Sequence, residues 1–289
     1  MTTTSNSLTD KAMLARLSIT QWTARKLDKR VTEEVRVHHG ASADAGRYNK
    51  ALISAEAIKA IQQAATAGRE LHYTYTLPWK DDGARILPAA AYLEYTSKMR
   101  ALRADFDAAV NAFCCDYPNY VAEARQRLNG MFREDDYPSV DRIRARFGWS
   151  VSIDPLPDGA DFRVSLSDGE ADRIRAEIDA STRQALADGL QDAWRRLHEA
   201  LSHAASRLAD PEAIFRDSLI GNLQDLCSIL PLLNFAQDSN LERARQEVET
   251  RLAGLKPDTL RLDAKARAQA AQDAQNIMAD MAAFMGGAS

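Results

Sequence analysis

Apolar residues keep a helical period over one unusually long stretch of the chain. A capping box formed by Ser167 and Glu170 opens this stretch, and no proline or other stop signal interrupts it before Asp210. At 1.5 Å per residue, about forty residues extend roughly 60 Å. Spacings of three and four keep the apolar side chains on one helical face. The stripe on this face includes Leu190, Trp194, Leu197 and Leu201.

A second series of apolar positions predicts another long helix, with Pro88 as its first residue. The positions step by three and four through about three heptads, which is the spacing of a coiled coil. Tyr117 and Pro118 are expected to end this helix. We interpret the series as a core or oligomer seam. Its residues are Tyr92, Tyr95, Met99, Leu102, Phe106 and Phe113.

Shorter helices account for much of the remaining chain. The same spacing predicts helices that start at Ser54, at Asp210 and at Ser239, the second of them broken at Pro231. An alanine-rich amphipathic helix over residues 263–285 closes the sequence. Glycine and proline are sparse, which also favours helices over sheets.

Strands are predicted where the period changes from 3.6 to 2. Residues 14–22 alternate between apolar and polar positions, and a second strand is expected around residues 31–37, within the basic, polar segment 23–49. Residues 149–166 alternate on either side of a turn and predict a β-hairpin within the helical body. The predicted fold is mainly α: an elongated helical bundle with long coiled-coil-like helices and a small β element. We expect residues 1–289 to form a single elongated domain, with a disordered tail at residues 1–13.

Charge and composition narrow the possible environments. The chain has 37 lysines and arginines against 41 aspartates and glutamates, so no global field attracts it to nucleic acid. The first fifty residues are nevertheless locally basic. There is no apolar run of about eighteen residues and no signal-peptide core, and three cysteines suit a reducing compartment. We therefore expect a cytoplasmic protein of the bacterial host cell, without a membrane segment.

The histidines and cysteines do not form a recognisable metal or nucleophile motif. His38 and His39 are adjacent and lack further ligands at metal-binding spacing. Cys114 and Cys115 point to different faces of a helix, so they are poor partners for one disulfide or one metal. Cys114 and Cys227 lie among apolar residues and are interpreted as core packing. The sequence therefore predicts no bound metal.

Phosphate loops and catalytic carboxylate pairs are not indicated either. The glycines stand alone rather than in a loop between a strand and a helix. Acidic residues cluster at 81–82 and at 134–136, where the context is turn-like, and are interpreted as solvated. We expect a protein that is not an enzyme and has no cofactor.

The best candidate for a binding site is the basic stretch that begins at Trp22. An aromatic ring beside clustered cations can stack on a base while the cations contact phosphates. The alternative is a charged strand edge that prevents aggregation. An aromatic stretch from Tyr73 to Gly83 is interpreted as closing the helical core. The candidate nucleic-acid-binding residues are Trp22, Arg25, Lys26, Lys29, Arg30, Arg47, Tyr48 and Lys50.

Five segments of the sequence carry a resemblance to a known group of proteins: Leu17 to Val31, His39 to Lys50, Leu77 to Trp79, Asp82 to Arg85 and Ile214 to Leu219. They resemble uncharacterised helical proteins that tailed phages and prophages of proteobacteria encode. The resemblance extends over most of the chain and implies expression in an infected or lysogenic cell. It assigns no catalytic residues.

Together these patterns favour a non-enzymatic, oligomerising phage or prophage protein that acts through protein or nucleic-acid contacts in phage DNA metabolism. The long seams would form a homo-oligomer, and the basic segment would form the contact. The alternative is an antagonist that binds a host defence protein, because an acidic, mostly helical surface would serve that role equally well. An enzyme is the third possibility.

Overall fold

A computed structural model describes residues 8–80, 83–162, 168–210, 212–214 and 216–285. The protein is 71% helical and contains a small antiparallel sheet, which confirms the predicted mainly α class. The helices are α1 (Lys29–His39), α2 (Ala55–Tyr75), α3 (Tyr92–Leu128), α4 (Val140–Arg144), α5 (Asp168–Ala209), α6 (Ser218–Leu233), α7 (Ser239–Val248), α8 (Pro257–Leu262) and α9 (Ala264–Met285). The strands are β1 (Ala12–Thr20), β2 (Arg25–Leu27), β3 (Asn49–Ala51), β4 (Leu77–Pro78), β5 (Arg85–Pro88) and β6 (Gly148–Asp154).

The long helix predicted from the apolar stripe is confirmed by α5, which has 42 residues. Ser167, the first residue of the proposed capping box, lies outside the described residues. Trp194, Leu197 and Leu201 are buried, while Leu190 is half-buried. Because α9 packs along α5, the stripe belongs to the core of the chain itself. It therefore does not provide the exposed surface on which the expected homo-oligomer depended.

The seam of α3 is also part of the core. Tyr95, Met99, Phe106 and Phe113 are all buried, and Tyr92 and Leu102 are half-buried. The coiled-coil-like spacing thus marks packing inside one chain. The oligomer stays a prediction, without the argument that led to it.

Two prolines that were expected to end helices lie inside them instead. Pro118 lies within α3 and Pro231 lies within α6. Both prolines are exposed. A proline in a helix removes one backbone hydrogen bond, but buried residues on either side, such as Tyr117 and Ala124 in α3, continue the packing beyond it. Packing decides the helix ends here rather than the local stop signal.

The predicted N-terminal strand is confirmed by β1, which pairs antiparallel with β5. The strand order of its sheet is β4-β5-β1-β6. Pro88 ends β5 and directly precedes the 3-10 turn Ala89–Ala91, which leads into α3, so the helical stretch begins just after the proline rather than at it. The chain already forms a 3-10 turn at Leu8–Lys11, so the predicted disordered tail is wrong from residue 8 onward.

Two other strand predictions have different outcomes. The strand at residues 31–37 is wrong: these residues are helical, because caps at both ends of α1 select the helix over the alternating pattern. The first strand of the hairpin at 149–166 is present as β6, which joins the sheet of β1. A 3-10 turn at Gly159–Asp161 follows, and most of the second strand falls on residues 163–167, which lie outside the described part of the chain.

The packing divides the chain into two compact units of opposite charge. The acidic unit comprises residues 1–16, 72–96 and 152–289, with 19 lysines and arginines against 27 aspartates and glutamates. The basic unit comprises residues 17–71 and 97–151, with 18 against 14. The single elongated domain stays a prediction. Within the described residues, no helix combines the length and apolar character needed to cross a membrane.

Candidate nucleic-acid interface

Most of the predicted binding residues lie in one continuous segment of the basic unit, residues 25–51. We call this segment the basic lobe. Its strands β2 and β3 pair antiparallel, with Arg25 opposite Ala51 and Leu27 opposite Asn49. Between them lie α1 and a loop over residues 41–48. The lobe contains seven lysines and arginines against four aspartates and glutamates. No residue of α1 is buried, so most of the lobe's side chains are open to a partner.

Local hydrogen bonds fix both ends of α1. The Asp28 carboxylate accepts a hydrogen bond from the Val31 N–H at 3.2 Å, which satisfies one of the unpaired donors of the first turn. Gly40 ends the helix in the left-handed conformation with φ of 60°, which glycine adopts without steric cost. The Thr32 hydroxyl donates to the Asp28 carbonyl at 2.7 Å and accepts from the Tyr48 N–H at 3.0 Å. The loop is thereby tied to the first turn of the helix.

A buried ion cluster lies at the base of the lobe. Lys50 is only 2% exposed, and its ammonium lies 3.1 Å from Asp28 Oδ2 and 2.6 Å from Asp136 Oδ2. It also donates to the Met131 carbonyl at 2.9 Å. Lys26 Nζ lies 2.6 Å from the other oxygen of Asp136. We call Lys26, Asp28, Lys50 and Asp136 the ion cluster.

Asp28, Lys50 and Asp136 keep their charges at neutral pH. Burial disfavours the charged form of Asp136, but hydrogen bonds from Lys26 and Lys50 outweigh it and lower the pKa of that carboxyl. The Val31 N–H, followed by Lys50, lowers the pKa of Asp28 against the effect of burial. Burial likewise opposes protonation of Lys50, yet its two carboxylate partners raise the pKa of the ammonium above its ordinary value.

These contacts correct three sequence interpretations. Lys50 is committed to buried carboxylates and is not available for phosphate. Asp136, interpreted as a solvated loop acid, is buried. Trp22 is only 6% exposed, and its ring centroid lies 6.3 Å from that of Phe113 and 6.1 Å from that of Tyr117. The ring packs in the aromatic core of the basic unit, so no base can stack on it there.

The other candidates are exposed, but they differ in how they are engaged. Lys26 is half-exposed and paired with Asp136. Arg30 donates to the Gly130 carbonyl at 3.2 Å, and its Nε lies 3.8 Å from Glu34 Oε1. Three of the candidate cations have no hydrogen-bonding or ion-pair partner for their side chains among the described residues. These free cations are Arg25, Lys29 and Arg47.

A second buried polar network, which no sequence pattern indicated, lies in the acidic unit. His72 Nδ1 lies 2.9 Å from the Tyr95 hydroxyl, and both side chains are buried. Burial, followed by the charge of Arg85, lowers the pKa of His72 to about 4. Arg85 donates to the Thr76 hydroxyl at 2.7 Å, and Arg196 donates to the Thr76 carbonyl at 2.7 Å. The network ties the end of α2 and the strand after it to α5.

Within the described residues, no group of three or more histidines, cysteines, aspartates or glutamates is arranged to hold a metal ion. His38 and His39 pack edge to face with ring centroids 4.9 Å apart. Cys114 and Cys227 are buried, as expected for packing residues, and Cys115 is exposed.

Comparison of the chain with protein-family models, curated proteins and solved structures finds no match. The resemblance to phage and prophage proteins therefore stays a prediction.

Proposed function

We propose that the protein binds nucleic acid through its basic lobe and does not catalyse a reaction. The observation that carries the proposal is that three free cations lie on the basic lobe. Phosphate contacts require cations that are not already neutralised by carboxylates. Arg25, Lys29 and Arg47 meet this requirement, whereas Lys26 and Lys50 do not.

The ion cluster supports this proposal by holding the lobe in one arrangement. It joins β3, the start of α1 and the segment around Asp136 through contacts of 2.6 to 3.1 Å. A surface that is positioned before binding loses less conformational entropy when its partner arrives. The excess of positive charge on the basic unit would also accelerate association with a polyanion. A role in phage DNA metabolism, in the host cytoplasm, follows from the resemblance of the sequence.

The test removes the free cations and measures binding to labelled single-stranded and double-stranded DNA at two salt concentrations. Each phosphate contact contributes about 0.7 to the slope of log affinity against log salt for single strands. Loss of three contacts should therefore weaken binding and reduce the slope by about 2. The variant is Arg25→Ala with Lys29→Ala and Arg47→Ala.

A matched control removes the same charge from the acidic unit, at three of its exposed cations whose side chains likewise have no partner among the described residues. These are Arg183, Lys256 and Lys265. The control should retain the affinity and salt slope of the wild type. Equal affinity of both triple variants would refute the proposal. A wild type without affinity, together with aggregation of the lobe variant, would support the strand-edge alternative.

Exposed valines on α1 favour a second candidate function, the binding of a host protein. Val35 is 49% exposed and Val37 is 65% exposed, on a helix of 11 residues that buries none of them. Helices this short are marginal on their own. Residues two positions apart lie on different faces of a helix, so a partner that covers either valine would stabilise α1. Capture of a host protein from nuclease-treated extracts of infected cells, lost in Val35→Asp, would support this function. Capture that nuclease abolishes would count against it.

A further inference from the structure

A cavity of about 270 Å³ lies inside the basic lobe, between α1 and the loop over residues 41–48. Pockets for drug-sized ligands usually measure about 300–1,000 Å³, so this one suits a smaller group, such as a single planar ring. Val35, Ala45 and Tyr48 give it apolar lining, and Arg36 and Arg47 are among its cationic lining residues. The combination of an apolar ring site with cations fits a nucleotide unit.

Tyr48 provides the aromatic surface that Trp22 does not. Its side chain is 38% exposed. Its backbone is held on both sides, because its N–H donates to the Thr32 hydroxyl at 3.0 Å and its carbonyl accepts from the Asp28 N–H at 2.9 Å. The tyrosine is thus anchored beside the ion cluster before any ligand arrives.

The two arginines of the cavity differ in availability. Both oxygens of the Glu33 carboxylate engage Arg36, which is therefore largely neutralised. Arg47, next to Tyr48 in sequence, is one of the free cations. A base stacked on Tyr48 would bring its own phosphate close to Arg47, whose positive charge has no carboxylate partner among the described residues.

We propose that this cavity holds one unstacked base of a single strand, with the ring of Tyr48 as its stacking platform and Arg47 as the contact for the adjacent phosphate. The inference rests on the proposed function and adds to its phosphate contacts a base contact that only single-stranded nucleic acid can make. A paired base inside a duplex is already stacked between its neighbours and does not enter such a cavity.

The experiment compares anisotropy titrations of a labelled single strand with those of the duplex of the same length. Tyr48→Ala should weaken single-strand binding by about 5- to 150-fold, the range for stacking of one base on an aromatic side chain. Duplex binding should be unchanged, and Tyr48→Phe should restore single-strand affinity because it keeps the ring. Tyr73→Ala removes an exposed tyrosine of the acidic unit and serves as the matched control.

A strand of abasic sugar-phosphate units provides a measurement that does not depend on any variant. The wild type should bind it more weakly than a strand with bases, by a factor similar to the effect of Tyr48→Ala. Unchanged single-strand affinity in Tyr48→Ala, with binding still lost in the triple cation variant, would overturn the base site and leave the proposed function standing. A wild type that binds neither strand nor duplex would overturn both. Equal wild-type affinity for abasic and base-containing strands would overturn the base site alone.

Discussion

Replacement of Lys50 by methionine tests whether the ion cluster holds the basic lobe together. Methionine keeps an unbranched apolar stem but removes the ammonium, which leaves the Asp28 and Asp136 carboxylates buried with fewer partners. Breaking a buried ion pair by removal of one partner costs about 3–5 kcal/mol. Because Asp136 keeps its contact with Lys26, we expect the lower end of this range, a loss of about 3 kcal/mol in the free energy of unfolding.

Lys26→Met is the matched control, because it removes the other ammonium from the same carboxylate. The Lys26 side chain is 51% exposed, and exposed ion pairs contribute about 0–1 kcal/mol. Guanidinium chloride unfolding, followed by circular dichroism and fluorescence, gives both free energies if the transitions coincide. A Lys50→Met midpoint equal to that of wild type, or an equally large loss in both variants, would refute the argument from burial.

The loss of stability in Lys50→Met should depend on pH. The folded pKa values of Asp28 and Asp136 are lowered, so their contribution to stability is present above the unfolded value of about 3.9 and is lost as pH falls through the folded values. In Lys50→Met the cost arises from ionised carboxylates, and acid neutralises them. The difference in stability between wild type and Lys50→Met should therefore shrink below about pH 4. A constant difference from pH 7 to pH 3 would contradict this reasoning.

Three further predictions concern other parts of the chain. Trp194→Ala should lower the free energy of unfolding by about 3–5 kcal/mol because the ring is buried, and an unchanged denaturant midpoint would contradict this. The His72 imidazole should titrate near pH 4 when followed by NMR. The free energy of unfolding should therefore fall as the pH drops from about 6.5 toward 4. A titration midpoint near pH 6.5 would show that the ring is solvated. Cys115 alone should react rapidly with a thiol reagent. Burial raises the pKa of the Cys114 thiol and raises that of Cys227 to about 11, so these two thiols should react slowly. A second fast-reacting thiol would refute their burial.

Local periodicity was sufficient to predict the long elements. The apolar stripe that includes Trp194 and the alternation in β1 are both repeated often enough to outweigh single exceptions. The segment at residues 31–37 is short, and its valines fit a period of 2 as well as one of 4. Caps by Asp28 and Gly40 decide in favour of the helix. Pro118 shows the opposite case, in which distant packing outweighs a local stop signal.

The candidate site was only partly predictable, because exposure depends on partners far along the chain. The basic stretch and Tyr48 could be identified from composition. Nothing near Trp22 or Lys50 in sequence indicates that Phe113 would cover one and that Asp136 would bind the other. Composition therefore indicated the basic stretch, but it could not show that Trp22 is covered and Lys50 is paired while Tyr48 is exposed.

Stabilising the basic lobe with a buried ion cluster has a free-energy cost, because the charged groups lose their hydration. If apolar residues replaced Lys50, Asp28 and Asp136, however, the lobe would keep six cations that repel one another and only three acids to offset them. Asp28 and the more distant Asp136 lie beneath the surface and place negative charge under the lobe. They neutralise Lys50 and engage Lys26, and they leave Arg25, Lys29 and Arg47 unpaired. The cluster thus reduces the repulsion within the lobe and keeps on its surface the charges that a polyanion would contact.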